Sequence, residues 1–225
     1  MSLNKVVPPN STVKLSTDII SFYVLPRRYD IFIPLRCTKQ IIMLNNEQLR
    51  RFEMNLQQEL LRVATSCGML DRVLLATDDI DEHWKSLASE YMADAVPQVQ
   101  QYPTVSVAWA GYLGMGVAHL WDESWEYYAL KPYTIFYGKQ GFDDMDEHIL
   151  EKIMGLSLTS EEARRLENVM RRLAETAIQH IRREQIEPST PMAFHAFARA
   201  CKAVYRVGAA IELKRLGYKF EEMSL

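Results

Sequence analysis

The sequence predicts an all-α fold of about six helices packed around one central apolar helix, and three observations point to it. From Ala95 to Trp121 there are 27 consecutive residues without an Asp, Glu, Lys or Arg, in a chain whose charged fraction is 24%. Elsewhere apolar residues recur at helical spacing, as in Leu166, Val169, Leu173, Ala177 and Ile181. Residues that start and stop helices bracket those stripes, among them Ser160, Thr190 with Pro191, and Gly217.

Taken in order, residues 1–43 differ from the rest. They carry six basic and two acidic side chains and short apolar runs interrupted by Pro26 and Pro34, which reads as an irregular or short-stranded N-terminal arm. Residues 44–225 read as a single helical domain. A first helix starts at Asn45 or Asn46 as cap and runs through Leu49, Phe52, Leu56 and Leu60 to Gly68. A second starts near Asp79 and runs toward Ala95. Pro97 and Pro103 bracket a connection, and Thr104 caps the third helix, which extends to about Leu130. That helix is apolar all round and so belongs inside. Its rows four residues apart sort by size. Ser106, Ala110, Gly114 and Ala118 make a small ridge beside a bulky one of Val105, Trp109, Leu113, Val117, Trp121 and Trp125, and such rows are where helices interlock. Gly114 should therefore face another helix at short range. Lys131 to Phe142 reads as a loop, a fourth helix follows Asp144, a fifth opens at Ser160 and ends before Pro188, and a sixth runs from Thr190 to Gly217.

The totals exclude several function classes. Twenty-nine acidic against 26 basic residues leave a net charge of -3, so no global field points to nucleic acid or an anionic membrane. Gln98, Gln100, Gln101 and Pro103 interrupt the apolar stretch, acids follow it at once, and mean hydropathy is -0.18, which argues against a membrane span. Cys37, Cys67 and Cys201 are widely spaced with no Cys-x-x-Cys, and no signal peptide opens the chain, so a cytoplasmic protein with free thiols is expected.

Asp78-Asp-Ile-Asp-Glu-His83 returns as Asp143-Asp-Met-Asp-Glu-His148, and each is followed by a second His with Glu four residues on, His119 with Glu123 and His180 with Glu184. A duplicated helical hairpin would produce this echo. Helix capping by Asp79 and Asp144, with Glu at the third helical position, explains the hexapeptides themselves. The two His-Glu pairs could offer four ligands to a divalent transition metal if their helices face each other, although Glu-x-x-His and His-Glu-x-x-His are both absent. No Gly-x-Ser-x-Gly supports a nucleophile, and Gly111, Gly114 and Gly116 lack Walker spacing, so close helix packing accounts for them. Arg199, Lys202 and Arg206 would share one helix face, the single lopsided basic feature, which falls short of an identifiable nucleic-acid module.

Aromatic residues concentrate at the end of the third helix and in the loop after it. Trp121, Trp125, Tyr128, Tyr133, Phe136 and Tyr137, rimmed by Asp122, Glu123 and Glu126, form the candidate interaction surface. The expected function is a non-enzymatic cytoplasmic interaction or scaffold protein that associates with itself or another protein, needing no cofactor. The alternative is a helical-bundle metal-binding protein or metalloenzyme using His119, Glu123, His180 and Glu184.

Overall fold

Among the described residues the secondary structure is six α-helices and short helical turns, with no strand beyond one isolated bridge between Gly138 and Gly141. The structure is a computed structural model that describes residues 35–219, with side-chain surroundings from residue 46. The chain divides into two units, Met1–Lys39 and Gln40–Leu225, and the helix packing is that of the second. The helices are α1 (Leu35–Ser66), α2 (Asp78–Gln98), α3 (Pro103–Tyr128), α4 (Met145–His148, continuing as a π-turn through Ile153), α5 (Glu161–Arg183) and α6 (Pro191–Arg215).

Two helix starts follow the sequence expectation. Ser160 Oγ accepts the Ala163 N–H at 3.1 Å and Thr190 Oγ1 accepts that of Ala193 at 3.2 Å, with Pro191 at the first helical position. Gly217, at φ +98°, stops α6. Other starts differ. Helix α1 begins at Leu35 rather than at Asn45 or Asn46, because asparagine inside a helix costs only about 0.7 kcal/mol relative to alanine, and a long amphipathic pattern overrides it. The rest of the expected arm lies outside the described residues. Helix α3 starts on Pro103 with Tyr102 as its cap residue, two residues before the Thr104 expected from sequence.

Asp144 occupies the cap position of α4 as expected, but neither hexapeptide supplies the expected capping hydrogen bond. Thr77, one residue upstream, accepts the Ile80 N–H at 3.2 Å, while Asp79 accepts the Trp121 indole N–H at 3.1 Å and Asp81 binds Arg206 at 2.9 Å. Asp144 turns back to accept the Gln140 N–H at 3.0 Å. These carboxylates are taken by partners outside their own helix starts. His83 meets the Trp125 ring and His148 donates to the Ile135 carbonyl, so the two sequence echoes occupy different settings.

Helix α3 is the central post, packed against α2, α5, α6 and the π-turn. Thirteen of its residues are buried, from Ser106 to Leu120. The predicted small ridge meets α6: a Cβ added to Gly114 would collide with the Tyr205 carbonyl oxygen and lie 3.0 Å from the Ala209 nitrogen. Reciprocally, a Cβ on Gly208 would collide with the Gly111 carbonyl oxygen. Two backbones thus touch where no side chain intervenes. Two buried hydroxyls of this core are bonded: Tyr91 donates to the Ser106 carbonyl at 2.6 Å and Tyr205 to the Ile80 carbonyl at 3.0 Å, so neither forfeits its water-lost hydrogen bond, whereas the Tyr133 hydroxyl is buried without a partner among the described residues. Among the described residues no helix is long and apolar enough to cross a membrane.

Candidate functional site

The six aromatic residues proposed as one contact surface separate into three settings. Tyr133 and Phe136 lie on a single 3₁₀ turn and are 1% and 2% exposed, so they are core rather than surface. The turn folds them inward, Phe136 against Gly116 of α3, where the missing side chain leaves room for the ring. Tyr137 is half-buried and its hydroxyl donates to Asp94 at 2.5 Å, near the C-terminal end of α2. Burial first, then this bond to a carboxylate, pushes the Tyr137 phenol up. Trp121, Trp125 and Tyr128 stay with α3 and remain half-buried. Trp125 packs edge-on against His83 at 5.0 Å, at the opposite end of α2. Eleven residues of helix separate His83 from Asp94 in sequence, roughly 16 Å along the axis.

Two of the eight exposed large apolar side chains among the described residues lie at the end of α3 and in the turn just past it. Tyr127 is 56% and Leu130 86% exposed, beside Trp125 and Tyr128 and next to the exposed acids Asp122, Glu123 and Glu126. The backbone breaks from helical geometry at Ser124, φ -168° and ψ 84°, which re-aims the final turn. Lys131 covers one face of the Tyr127 ring at 3.7 Å, and Tyr218 stacks edge-on with Trp121 at 5.6 Å while donating to Asp122 at 2.7 Å. Desolvation lowers the His83 imidazole from its ordinary 6.5, since burial beneath Trp125 disfavours the charged ring.

The four residues considered as metal ligands are not gathered into one site. Among the described residues no group of three or more His, Cys, Asp or Glu side chains could hold a metal ion. Each histidine takes a carboxylate from a different helix instead of the partner four residues along its own. His119 Nδ1 bonds Glu212 of α6 at 2.7 Å, and His180 Nδ1 bonds Glu59 of α1 at 2.8 Å. A carboxylate only accepts, so both Nδ1 atoms carry the proton. Glu123 remains exposed at the surface, and Glu184 caps the C-terminal end of α5.

The two clusters share a plan. Glu212 is fully buried and also takes a two-pronged Arg215 guanidinium at 2.7 and 2.8 Å, whose third nitrogen reaches Glu162 at 3.3 Å. Burial would push the Glu212 carboxyl up, but the bonds from His119 and Arg215 outweigh it and hold it below its ordinary 4.5. Glu59 is likewise held low: desolvation raises it, while Arg183 at 2.8 Å and His180 lower it further. Among the described residues the His180 Nε2 atom is buried without a hydrogen-bond partner. The basic face expected on α6 is also occupied. Arg199 and Lys202 both pair with Glu53 of α1, and Arg206 pairs with Asp81 of α2, which leaves no free cationic stripe there.

Sequence reasoning missed Glu212 and Glu59. A signal existed for the first: Glu212 is the one acid between Ala209 and Leu213 in an apolar row, and a buried carboxylate demands cationic partners. Glu59 sits among other polar residues on α1 and gave none. Comparison with known protein families, with curated proteins and with solved structures finds no match to this chain.

Proposed function

We propose that this chain is a helical interaction or scaffold protein that assembles with a second copy of itself through the last turn of α3. The observation that carries this reading is the exposure of Tyr127, 56%, on the last turn of α3 and of Leu130, 86%, in the turn that follows it, close in sequence to Trp125 and Tyr128. Large apolar side chains held out in water on an ordered element mark association sites. Aromatic residues framed by charge, here Asp122, Glu123, Glu126 and Lys131, match the composition of interface cores and rims. A patch carrying both acids and a lysine also suits a twofold contact, in which each copy offers the same surface to the other. The free thiols, Cys67 half-buried and Cys201 buried, support a reducing compartment such as the cytoplasm.

Light scattering coupled to size exclusion tests this. The parent chain is expected to run as a dimer or larger species. Leu130→Glu and Tyr127→Glu are expected to yield monomers with unchanged helical content, because neither residue contributes to the core. A monomeric parent at high micromolar concentration overturns self-association.

A further inference from the structure

The outward face of α1 carries a feature that association through α3 does not use. A groove of about 570 Å³ runs beside the C-terminal half of α1, lined by Gln58, Leu61, Arg62, Thr65, Ser66 and Arg72. Its volume lies within the range of small-molecule sites. The only charged side chains in that lining are the two guanidinium groups, and the remaining polar groups are two hydroxyls and an amide. Among the described residues neither Arg62 nor Arg72 has an ion-pair partner. The one acid adjacent in sequence, Asp71, is committed elsewhere, to Lys214 of α6 at 2.7 Å. In a second concave region, lined by the start of α5, the end of α6 and the residues after α1, Glu161 and Glu162 offset two of the three cations Arg165, Lys214 and Arg215. The α1 groove carries two cations and no acid.

The backbone supplies an independent observation. Arg72 adopts φ +66°, a left-handed conformation that an unbranched non-glycine residue takes at a cost of about 1 kcal/mol. The conformation is fixed by a hydrogen bond from the Arg72 N–H to Thr65 Oγ1 at 3.2 Å. A lining residue of the groove thus holds the strained one in place, and the strained one is an arginine.

We propose that this groove binds the phosphoryl dianion of a small phosphomonoester, gripped between the Arg62 and Arg72 guanidinium groups. Planar guanidinium forks match the tetrahedral oxygens of a phosphoryl group and give two bonds each. Thr65 and Gln58 add donors of neutral charge, while the Ser66 hydroxyl is given to the Val63 carbonyl at 2.8 Å, and the groove is large enough to accept the sugar-sized remainder of such a molecule. The same chemistry would be met by free phosphate or by a phosphate ester.

Calorimetric titration of the full chain at low ionic strength distinguishes these, using glucose 6-phosphate, inorganic phosphate, citrate and glucose as separate titrants. Saturable binding of glucose 6-phosphate with none of glucose is expected. Equal binding of inorganic phosphate assigns the site to the free ion, and weaker binding assigns it to the ester; both support the oxyanion site. Arg62→Gln and Arg72→Gly are each expected to weaken binding about tenfold or more. Arg164→Gln, which removes one exposed charge from α5, is expected to leave it within about twofold. Arg72→Gly also separates site from fold, since glycine suits the positive φ and the variant should unfold no earlier than the parent. No saturable phosphoryl binding, citrate binding as tightly as the ester, or unchanged affinity in both groove variants overturns the proposal.

Discussion

Along one side α6 meets α3 through Gly208 and Gly114, where no side chain stands between the two backbones. Along another it meets α1 through Glu53, Arg199 and Lys202, flexible side chains that are 22%, 33% and 37% exposed. The first seam is specified by shape: every added atom must displace backbone, and packed interiors transmit such strain. The second is specified by charge, and its members can swing into water when a partner is lost. The same helix is therefore held on one side by contacts that tolerate nothing and on the other by contacts that tolerate much. Substitutions on either side, ranked by cost, test that contrast.

The largest effect is expected at the glycine seam. Gly208→Leu, against the Gly111 carbonyl, or Gly114→Leu, against the Tyr205 carbonyl, should destabilise by about 4 kcal/mol or more or prevent folding, because the clash is with main-chain carbonyls that cannot rotate away. Gly116→Ala sharpens the point. There an added Cβ meets only the Phe136 ring and the Ile149 methyl, at 3.2 and 3.3 Å, which can shift, so a loss of about 1 kcal/mol is expected. Urea unfolding of both variants checks it. Equal costs at Gly208 and Gly116 would show that the close backbone approach is not what constrains α3.

Next comes the charge buried at the end of α6. Glu212→Ala leaves Arg215 and His119 without their shared acceptor, and about 2 kcal/mol should be lost; the usual cost of breaking a buried pair is higher, but both of these side chains reach solvent. The pH dependence follows from the direction of each shift. A carboxyl held below 4.5 in the folded chain gives its full stabilisation above 4.5 and loses it as pH falls through its folded value, so Glu212 and Glu59 both weaken the fold below about pH 4.5. His83 contributes earlier. Its folded pKa is lowered from 6.5, so the unfolded chain takes up the proton first and stability starts to decline below about pH 6.5. Thermal melts from pH 7.5 to 3.5 should show both steps, the upper one absent in His83→Gln. A single step that survives Glu212→Ala unchanged would rule out the Glu212 cluster as its source.

How far these regions were legible in the sequence follows from the same contrast. The small ridge of α3 could be read directly, since Gly114 between Ala110 and Ala118 has no other use on an apolar helix. Ser160, Thr190 and Gly217 could be read too, because capping is a local interaction. Partner choice among charges could not. His119 found Glu212, distant in sequence, rather than Glu123 one turn away, and Asp79 found Trp121 rather than its own helix start. Such pairings depend on which helices become neighbours, which periodicity does not encode. Tyr133 and Phe136 were misassigned for a related reason: aromatic density marks a surface or a core equally well, and only the inward 3₁₀ turn decides.

The smallest effect is expected at the α1 seam, and it is the one that most directly tests whether charge pairing there is specification or decoration. Glu53→Gln removes the carboxylate shared by Arg199 and Lys202 but keeps a side chain of the same size. Each pair alone contributes little in water, and the two cations repel one another once the acid is gone, so a loss of about 0.5 to 1 kcal/mol is expected, shrinking as salt is raised to 1 M. Arg199→Met should cost no more than Glu53→Gln, because its methylene stem continues to cover the half-buried surface it lies on. Were Glu53→Gln to cost as much as Gly208→Leu, and independently of salt, the α1 seam would also have to be counted among the contacts that admit no change.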